Sequence, residues 1–178
     1  MTLGGIMEIF KPTMYKKSIF DIDYQKLKNM GITCIVFDLD NTLGLIDEEK
    51  CPVKVKKLLK QLKKDFKIFV SSNNTKKRIE PYIKELEIEG FALALKPMAK
   101  NLRKIKKKYN FSKREMVMIG DQIMTDILSG NRFKIMTILV DPLGKKDLKV
   151  TYFNRIFEQK IVDSYQKRGI FERGKYYE

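Results

Sequence analysis

Two aspartates, Asp38 and Asp40, follow directly on an apolar run in the stretch 34–46, CIVFDLDNTLGLI. Side chains at i and i+2 of an extended chain point to the same side, so both carboxylates can face one pocket. Two carboxylates in one pocket repel each other unless one is protonated or a cation lies between them. Because the chain has no histidine and offers hard oxygen ligands here, the pair predicts a Mg2+ site.

Three later apolar runs also end in polar residues. In chain order these residues are Ser71, Ser72, Asn73 and Asn74, then Lys96, and then Asp121. Asp121 would add a third carboxylate, and Lys96 would add a fixed positive charge. Thr42 and Ser71 would supply two hydroxyl groups. This combination suits a phosphoryl group that is held with Mg2+ and neutralised by a lysine.

Strand-like and helix-like segments alternate along the chain. The predicted strands are 34–40, 66–74, 90–97, 115–122 and 134–142. The predicted helices are 53–65, 75–88, 98–110 and 124–131. Met98 belongs to the apolar stripe of the third helix, and Gly130 or Asn131 would stop the fourth. This βαβαβ order predicts an α/β fold with a parallel sheet and helices on both faces, in which sites form at the carboxyl ends of the strands.

The composition narrows the chemistry. The 178 residues contain no histidine, which excludes Ser-His-Asp and Cys-His nucleophiles and every histidine-ligated metal site. Cys34 and Cys51 form no Cys-x-x-Cys pair, and the N-terminus is a poor match to a secretory signal, so we expect a cytoplasmic protein. The formal net charge of +15 favours anionic partners.

Four short motifs resemble, in the right order, those of the haloacid dehalogenase (HAD) superfamily of phosphatases. They are DLDNT at 38–42, VSS at 70–72, LKP at 95–97 and GDQIMTD at 120–126. The first and fourth motifs are specific together, whereas the serine and lysine signals are weak alone. The resemblance implies a three-layer α/β/α, Rossmann-like core and a Mg2+-dependent phosphatase that works through an aspartyl phosphate.

The resemblance also implies a role for each matching residue. Asp38 is similar to the nucleophile that accepts the phosphoryl group, and Asp40 is similar to the general acid that protonates the leaving oxygen and then activates water. Ser71 is similar to the hydroxyl residue of the second motif, with Ser72 as the alternative register. Lys96 is similar to the residue that neutralises the nucleophile and the phosphate.

The metal ligands that the resemblance implies are the side chains of Asp38 and Asp121 and the backbone carbonyl of Asp40. Asp126 is similar to the second acid of the fourth motif, which supports the lysine or the metal's waters, and a simple helix cap is an equal alternative. The residues expected to contact the substrate are Thr42, Ser71, Ser72, Asn73 and Lys96.

HAD phosphatases choose substrates largely through inserted cap domains, and this sequence has no room for one. Only 43–70 separates the first motif from the second, and 72–95 separates the second from the third; one helix and one strand fill each segment. A capless site would be open. Open sites suit macromolecules or membrane head groups better than small sugars, which need enclosure.

The flanks of the motifs resemble one branch of subclass IIIA, which holds the bacterial YqeG-type proteins and the mitochondrial phosphatidylglycerophosphate phosphatases. The resemblance covers most of 7–171 and implies a phospholipid phosphate as a candidate substrate. We expect an N-terminal extension that packs on the core at 1–30, a HAD core at 31–145, and a basic helical extension at 146–178, all in a single domain.

Two segments concentrate the positive charge. Segment 54–67 has seven lysines and one aspartate, and segment 100–114 has six lysines, two arginines and no acid. Lysines beside an anionic bilayer contribute roughly 1 kcal/mol each, so these segments fit a protein that is peripheral at the inner membrane surface. They fit equally the solvated faces of two amphipathic helices.

Two other functions are compatible with parts of the sequence. The basic helices fit an RNA- or ribosome-associated binding module, but the chain has no RNP-like strand and no Gly-x-x-Gly loop. A receiver-type phospho-acceptor also gathers acids, a hydroxyl and a lysine at parallel strand ends, but the spacing of Asp38 and Asp40 fits the hydrolase better. The sequence predicts no oligomeric state.

Overall fold

One parallel sheet organises the chain. This computed structural model describes residues 8–144 and 149–178, without the side chains of 149–156. Within those residues the sheet has six strands in the order β1-β6-β5-β2-β3-β4. Every neighbouring pair of these strands runs parallel.

Helices connect the short strands of this sheet. The strands are β1 (Met14–Lys16), β2 (Cys34–Phe37), β3 (Lys67–Ser71), β4 (Glu89–Phe91), β5 (Met116–Gly120) and β6 (Met136–Val140). The α-helices are α1 (Tyr24–Asn29), α2 (Val53–Leu62), α3 (Lys76–Leu86), α4 (Lys100–Tyr109), α5 (Leu128–Phe133) and α6 (Lys149–Lys167). Short 3-10 turns lie at Ile19–Asp21 and Lys113–Glu115, and a π-helical turn at Ile123–Ile127 leads into α5.

The strand order reverses at β2. This strand lies between β5 and β3, and its four residues, CIVF, are all fully buried, as expected of a central parallel strand. The chain runs outward from β2 through β3 to β4, and then returns to β5 on the other side of β2. A crevice therefore opens at the carboxyl ends of β2 and β5, which is where open α/β sheets bind ligands.

Alternate side chains of the strands pack into two apolar layers. On one face, Ile35 and Phe37 of β2 pack in a cluster that includes Leu59 of α2. On the other face, Val36 packs in a cluster that includes Leu102 of α4. Helices therefore cover both faces of the sheet, and the predicted three-layer α/β/α fold is confirmed.

No cap domain is inserted between the first three motifs at the carboxyl edge of the sheet. Segments 43–70 and 72–95 are described throughout, and they hold α2 with β3 and α3 with β4 but no further domain. Neither segment therefore contains a cap domain, as the sequence predicts.

The third predicted strand is wrong in its second half. β4 ends at Phe91, and residues 92–98 form a loop in which Leu93 and Leu95 have φ angles of 47° and 53°. A left-handed backbone cannot continue a strand. Met98, predicted to lie on the buried stripe of a helix, instead precedes α4 and is 57% exposed.

The predicted end of the fourth helix is also wrong. α5 does not stop at Gly130 or Asn131 but continues to Phe133. Gly130 lies inside the helix because β6 passes close to it: a Cβ at this position would lie 2.3 Å from Thr137 Cγ2. The glycine is a packing requirement here and not a stop signal.

Both ends of the described chain reach the β1 edge of the sheet. β1 pairs with β6, so part of segment 1–30 contributes a strand. Near the C-terminus, Tyr177 exchanges two backbone hydrogen bonds with Tyr15, of 3.0 and 2.9 Å. α6 contributes Val162 to the apolar cluster that contains Ile127 of the π-helical turn.

The two predicted extensions are described only in part. Residues 1–7 of the first, 146–148 of the second and residue 145 at the end of the predicted core lie outside the described residues. Among the helices that the structure does describe, none combines the length and the apolar composition needed to cross a bilayer.

The contact between Gly130 and Thr137 gives a stability test. Gly130→Ala would gain about 1 kcal/mol of helix propensity, but its methyl group would overlap Thr137 Cγ2, and overpacking costs about 1–3 kcal/mol. We expect urea denaturation to show a free energy of unfolding lower by about 1 kcal/mol. Thr137→Ser removes the methyl group and keeps the hydroxyl that donates to Asn131 Oδ1 at 3.0 Å. The double variant should therefore recover most of the loss; no recovery would contradict this contact.

Candidate active site

Lys96 lies buried between two carboxylates. Its Nζ donates to Asp38 Oδ1 at 2.5 Å and to Asp126 Oδ1 at 2.6 Å. Asp38 follows β2, Lys96 lies in the loop after β4, and Asp126 belongs to the π-helical turn after β5. The three residues are 5%, 9% and 1% exposed. Three strand connections thus meet in a pocket with little water, where electrostatic interactions are strong.

The backbone of Lys96 is fixed by the loop after β3. Asn73 Oδ1 accepts from Lys96 N at 2.8 Å, and Asn73 Nδ2 donates to Lys96 O at 3.2 Å. The same loops are joined by Leu93 N, which donates to Asn74 O at 2.9 Å. Both ends of the Asn73 amide are engaged, so Asn73 holds the Lys96 backbone in place. Its predicted contact with the substrate stays a prediction.

Asp121 forms an acidic group with Asp38 and Asp126. Carboxylate oxygens of these three buried residues lie within 4.8 Å of one another. Thr42 Oγ1 donates to Asp121 Oδ1 at 3.3 Å, and Gln122 N donates to Asp126 Oδ2 at 3.2 Å. The group contains the two predicted side-chain ligands of the metal, Asp38 and Asp121, and also the predicted supporting acid. Such a set of hard oxygen donors fits a divalent cation.

The charges in this pocket do not balance. Burial raises the pKa of Asp38 well above its usual value, and Lys96 opposes this. The neighbouring Asp126 and Asp121 raise the pKa of Asp38 further. Burial alone would lower the pKa of Lys96, but Asp126 and Asp38 outweigh it and raise that pKa, so the ammonium stays charged. A divalent cation beside the carboxylates would supply the positive charge that the pocket lacks.

Asp40 has a different set of partners. Arg78 Nε donates to Asp40 Oδ1 at 2.9 Å, and Asn74 Nδ2 donates to Asp40 Oδ2 at 3.2 Å. Ser72 Oγ lies 3.5 Å from the same Oδ2. The Asp40 carboxylate does not belong to the acidic group of Asp38, Asp121 and Asp126. A carboxylate oriented by such contacts can exchange protons with a substrate.

The two serines of the predicted second motif face different neighbours. Ser72 lies beside Asp40, whereas Ser71, at the end of β3, accepts a hydrogen bond from Asn101 Nδ2 of α4 at 3.4 Å. Both serines are buried. Which of the two serines is the hydroxyl residue of the second motif stays a prediction.

Arg78 is a site residue that the sequence reasoning missed. Besides Asp40, its guanidinium donates to Glu48 O at 2.9 Å and to Leu45 O at 2.8 Å, and it lies 4.8 Å from the centre of the Tyr82 ring. A guanidinium has five donors in a fixed plane, so one side chain can join the carboxylate to the loop after the first motif. The signal in the sequence is a basic residue in the first turn of the helix that follows the second motif.

Gly120 provides space for Asp126. A Cβ at Gly120 would lie 2.3 Å from both Cγ and Oδ2 of the Asp126 side chain. Only a residue without a side chain therefore lets this carboxylate pass β5 and reach Lys96. The glycine of the fourth motif therefore acts through the room that it leaves.

The two cysteines do not take part in this site. Cys34 and Cys51 are free and buried, and burial raises the pKa of both thiols to about 12. Neither supplies a thiolate at neutral pH.

Comparison with known proteins decides the family. A family model described as haloacid dehalogenase-like hydrolase matches residues 44–134. The "Probable phosphatase YqeG" of Bacillus subtilis (strain 168) is 33% identical over 165 residues, which cover 92% of this chain and 96% of that protein. The chain belongs to the haloacid dehalogenase-like hydrolases. The prediction of an enzyme, a phosphatase of the HAD family, is confirmed.

Two photosynthetic organisms contain more distant relatives of this HAD hydrolase. The "Phosphatidylglycerophosphate phosphatase 1, chloroplastic/mitochondrial" of Arabidopsis thaliana is 25% identical over 146 residues, which cover 76% of this chain and 42% of that protein. The "Phosphatidylglycerophosphate phosphatase 1, chloroplastic" of Chlamydomonas reinhardtii is 26% identical over 151 residues, which cover 79% of this chain and 56% of that protein. Both relatives contain long segments that this HAD hydrolase does not match.

Solved structures share the fold of this HAD hydrolase. The cobalt-bound deoxy-D-mannose-octulosonate 8-phosphate phosphatase of Haemophilus influenzae matches with a TM-score of 0.51 and 18% identity, over 83% of this chain and 95% of that one. An uncharacterized protein from Listeria monocytogenes serotype 4b matches with a TM-score of 0.53 and 20% identity, over 66% of this chain and 85% of that one. At such identities the likeness shows the fold alone.

Substitution of Arg78 tests whether it orients Asp40 in this HAD hydrolase. Arg78→Ala should lower kcat for an aryl phosphate about 10-fold with little change in KM, because misplacing Asp40, the predicted proton donor, should slow the chemistry more than binding. Arg78→Lys should restore little, since an ammonium cannot reach all three acceptors at once. Lys77→Ala removes an exposed charge from the same helix turn and serves as the control. Steady-state kinetics with wild-type kcat for Arg78→Ala would exclude this role.

Gly120→Ala tests whether the HAD hydrolase needs Asp126 beside Lys96. The added methyl group should push the carboxylate away and lower kcat on the order of 10-fold. Asp126→Ala should lower kcat as well, and Gly120→Ala should then have little further effect, because its target is gone. The double-mutant cycle in kcat measures this coupling. Losses that simply add would mean that Gly120 acts on something else.

Proposed function

We propose that this HAD hydrolase is a Mg2+-dependent phosphomonoester hydrolase that works through an aspartyl phosphate on Asp38. The observation that carries the proposal is the buried contact of 2.5 Å between Asp38 and Lys96, beside the carboxylate of Asp121. A nucleophilic carboxylate needs a fixed positive charge to bring it close to a phosphoryl group, and Lys96 supplies one. Because burying charged groups is costly, such a group favours catalysis over a purely binding role.

The proposed reaction has two steps. In the first, an Asp38 oxygen forms a bond to phosphorus while the bond from phosphorus to the leaving oxygen breaks, and Asp40 gives its proton to that oxygen. In the second, Asp40 takes a proton from a water molecule whose oxygen bonds to phosphorus while the bond from phosphorus to the Asp38 oxygen breaks, which releases phosphate and restores the Asp38 carboxylate. Arg78 and Asn74 orient Asp40 for both proton transfers.

The donor set of the acidic group supports a hard divalent cation. Asp38, Asp121 and the backbone carbonyl of Asp40 would hold Mg2+, and Asp126 would support both the ion and Lys96. When bound, the ion supplies positive charge that offsets the carboxylates and the phosphate. Thr42 and the serines Ser71 and Ser72 would contact the phosphate oxygens.

The substrate that we propose is phosphatidylglycerophosphate or another exposed phosphomonoester. The open carboxyl edge, without a cap in segments 43–70 and 72–95, supports a large or membrane-bound substrate. The names of the Arabidopsis thaliana and Chlamydomonas reinhardtii relatives support a phospholipid in particular. The protein would then be cytoplasmic and peripheral at the inner membrane surface.

Phosphate release from phosphatidylglycerophosphate in mixed micelles, beside an aryl phosphate, tests the proposal. With Mg2+ we expect turnover of the lipid that Asp38→Asn lowers on the order of 10³-fold or more. Asp65→Asn is the matched control, because it removes an exposed carboxylate that only pairs with Lys28 on the surface. Chelation of the metal should abolish turnover, and added Mg2+ should restore it.

Three outcomes of this experiment are distinct. Turnover of the lipid that depends on Asp38 would support the full proposal. Turnover of the aryl phosphate alone would keep the chemistry and reject the lipid. No phosphate from any monoester, or full activity of Asp38→Asn, would reject the proposed mechanism.

A further inference from the structure

Exposed apolar side chains lie on the loop that carries Lys96. Leu93, Leu95 and Met98 are 64%, 57% and 57% exposed, whereas Ala94 and Lys96 between them are buried. Single exposed apolar residues are ordinary, but a group of them at the mouth of a site indicates a contact surface. The substrate chemistry inside the pocket does not use these side chains.

The backbone holds the leucines outward. The φ angles of Leu93 and Leu95, 47° and 53°, are unfavourable for a bulky residue, and such conformations cluster at functional sites. The loop is nevertheless fixed, because Leu93 N donates to Asn74 O at 2.9 Å and Met98 N donates to Leu95 O at 2.8 Å. The exposed leucines are therefore a built feature of the loop.

A basic surface continues from this loop. α4 starts two residues after Met98 and has the sequence KNLRKIKKKY, with six basic residues and no acid. Lys100, Arg103 and Lys104 in its first half are exposed. Apolar side chains that enter the head-group region, next to cations that attract anionic lipids, are the two components of interfacial membrane binding.

We infer that the 93–98 loop and the first half of α4 dock this hydrolase on an anionic lipid bilayer. Leu93, Leu95 and Met98 enter the interface, and the exposed cations of α4 contact the head groups. The inference rests on the proposed function and deepens it, because Lys96 lies in the docking loop itself. RNA fits this surface less well, since 93–98 has no aromatic side chain on which a base could stack.

Sedimentation with lipid vesicles tests the docking surface. Wild-type protein should bind phosphatidylcholine vesicles that contain phosphatidylglycerol and should bind pure phosphatidylcholine vesicles much less. The triple variant Leu93→Asn/Leu95→Asn/Met98→Gln should lower the affinity about 10-fold or more. Asparagine tolerates the left-handed backbone, so the loop should keep its shape. The variant should also keep wild-type kcat on an aryl phosphate, which checks that it folds.

The matched control for the apolar variant is Met30→Gln. Met30 is 49% exposed and lies at the C-terminal end of α1, before the amino end of β2 and hence away from the carboxyl edge. The Met30→Gln variant should bind the vesicles as the wild-type protein does. Equal losses in Met30→Gln and the triple variant, or no loss in either, would overturn the inference.

A second pair of variants tests the charged part of the surface. Lys100→Gln/Arg103→Gln/Lys104→Gln removes three charges from α4 and should weaken binding to the anionic vesicles on the order of 10- to 100-fold. The control, Lys54→Gln/Lys57→Gln/Lys60→Gln, removes three exposed charges from α2, which packs on the opposite face of the sheet. It should have a much smaller effect. Equal losses would mean that only the net charge matters and would contradict a defined docking surface.

Vesicle binding needs no catalysis, so this inference and the proposed function can fail separately. A protein that hydrolyses the aryl phosphate but does not prefer anionic vesicles would overturn the docking surface and leave the chemistry intact. A protein that binds these vesicles through the 93–98 loop but releases no phosphate would support the surface and reject the proposed function. Binding to single-stranded RNA that is tighter than to vesicles, and unchanged in the triple variant, would also overturn the inference.

Discussion

The site depends on one buried ammonium group. Moving a lysine out of water costs several kcal/mol unless carboxylates and hydrogen bonds compensate for the lost hydration, and here Asp38 and Asp126 both contact Lys96. The surrounding structure serves that placement: Asn73 fixes the Lys96 backbone, and Gly120 leaves the room that Asp126 occupies. Loss of either carboxylate would leave a buried cation with half of its compensation. The residues around Lys96 are therefore coupled, and their contributions to catalysis should not simply add.

Much of this site could be predicted from the sequence, because a buried parallel strand is a continuous apolar run and the chemistry begins where the run stops. Asp38 and Asp121 each follow such a run. The same rule places Lys96 at the end of a predicted strand, and the structure differs there. The segment GFALALKP predicts a strand over 90–97, but β4 ends at Phe91, and the rest of the segment forms a loop with left-handed residues. Ala94 and Lys96 are buried in that loop, and Leu93 and Leu95 are exposed, as in a strand with one buried face. The sequence pattern therefore predicted which side chains are buried but not the conformation of the backbone.

The contacts that the sequence could not reveal join segments far apart in the chain. Arg78 meets Asp40 because β3 lies next to β2, which brings the first turn of α3 to the loop after β2. The position of β3 beside β2 follows from the strand order of the sheet, and no local sequence pattern predicts it. The same limit applies to Gly130, whose role is set by Thr137 of β6 and not by its own helix. From the local pattern alone, Gly130 is interpreted as the end of a helix and Arg78 as a charge in solvent. Their tertiary neighbours show that Gly130 makes room for Thr137 and that Arg78 contacts Asp40.

The chain has a net charge of +15, but the acidic group of Asp38, Asp121 and Asp126 lies in its pocket. Inside the pocket three carboxylates face one ammonium, so an anionic substrate would be repelled until a cation joins them. Outside the pocket the basic helices create the opposite field, which attracts anionic surfaces over about a Debye length. The 93–98 loop joins the two regions, since Lys96 faces inward while Leu93 and Leu95 face solvent. Because this loop is fixed by hydrogen bonds to the loop after β3, a head group held at the docking surface would reach the ammonium without closure of a cap domain, which would explain how a capless phosphatase can act at a membrane.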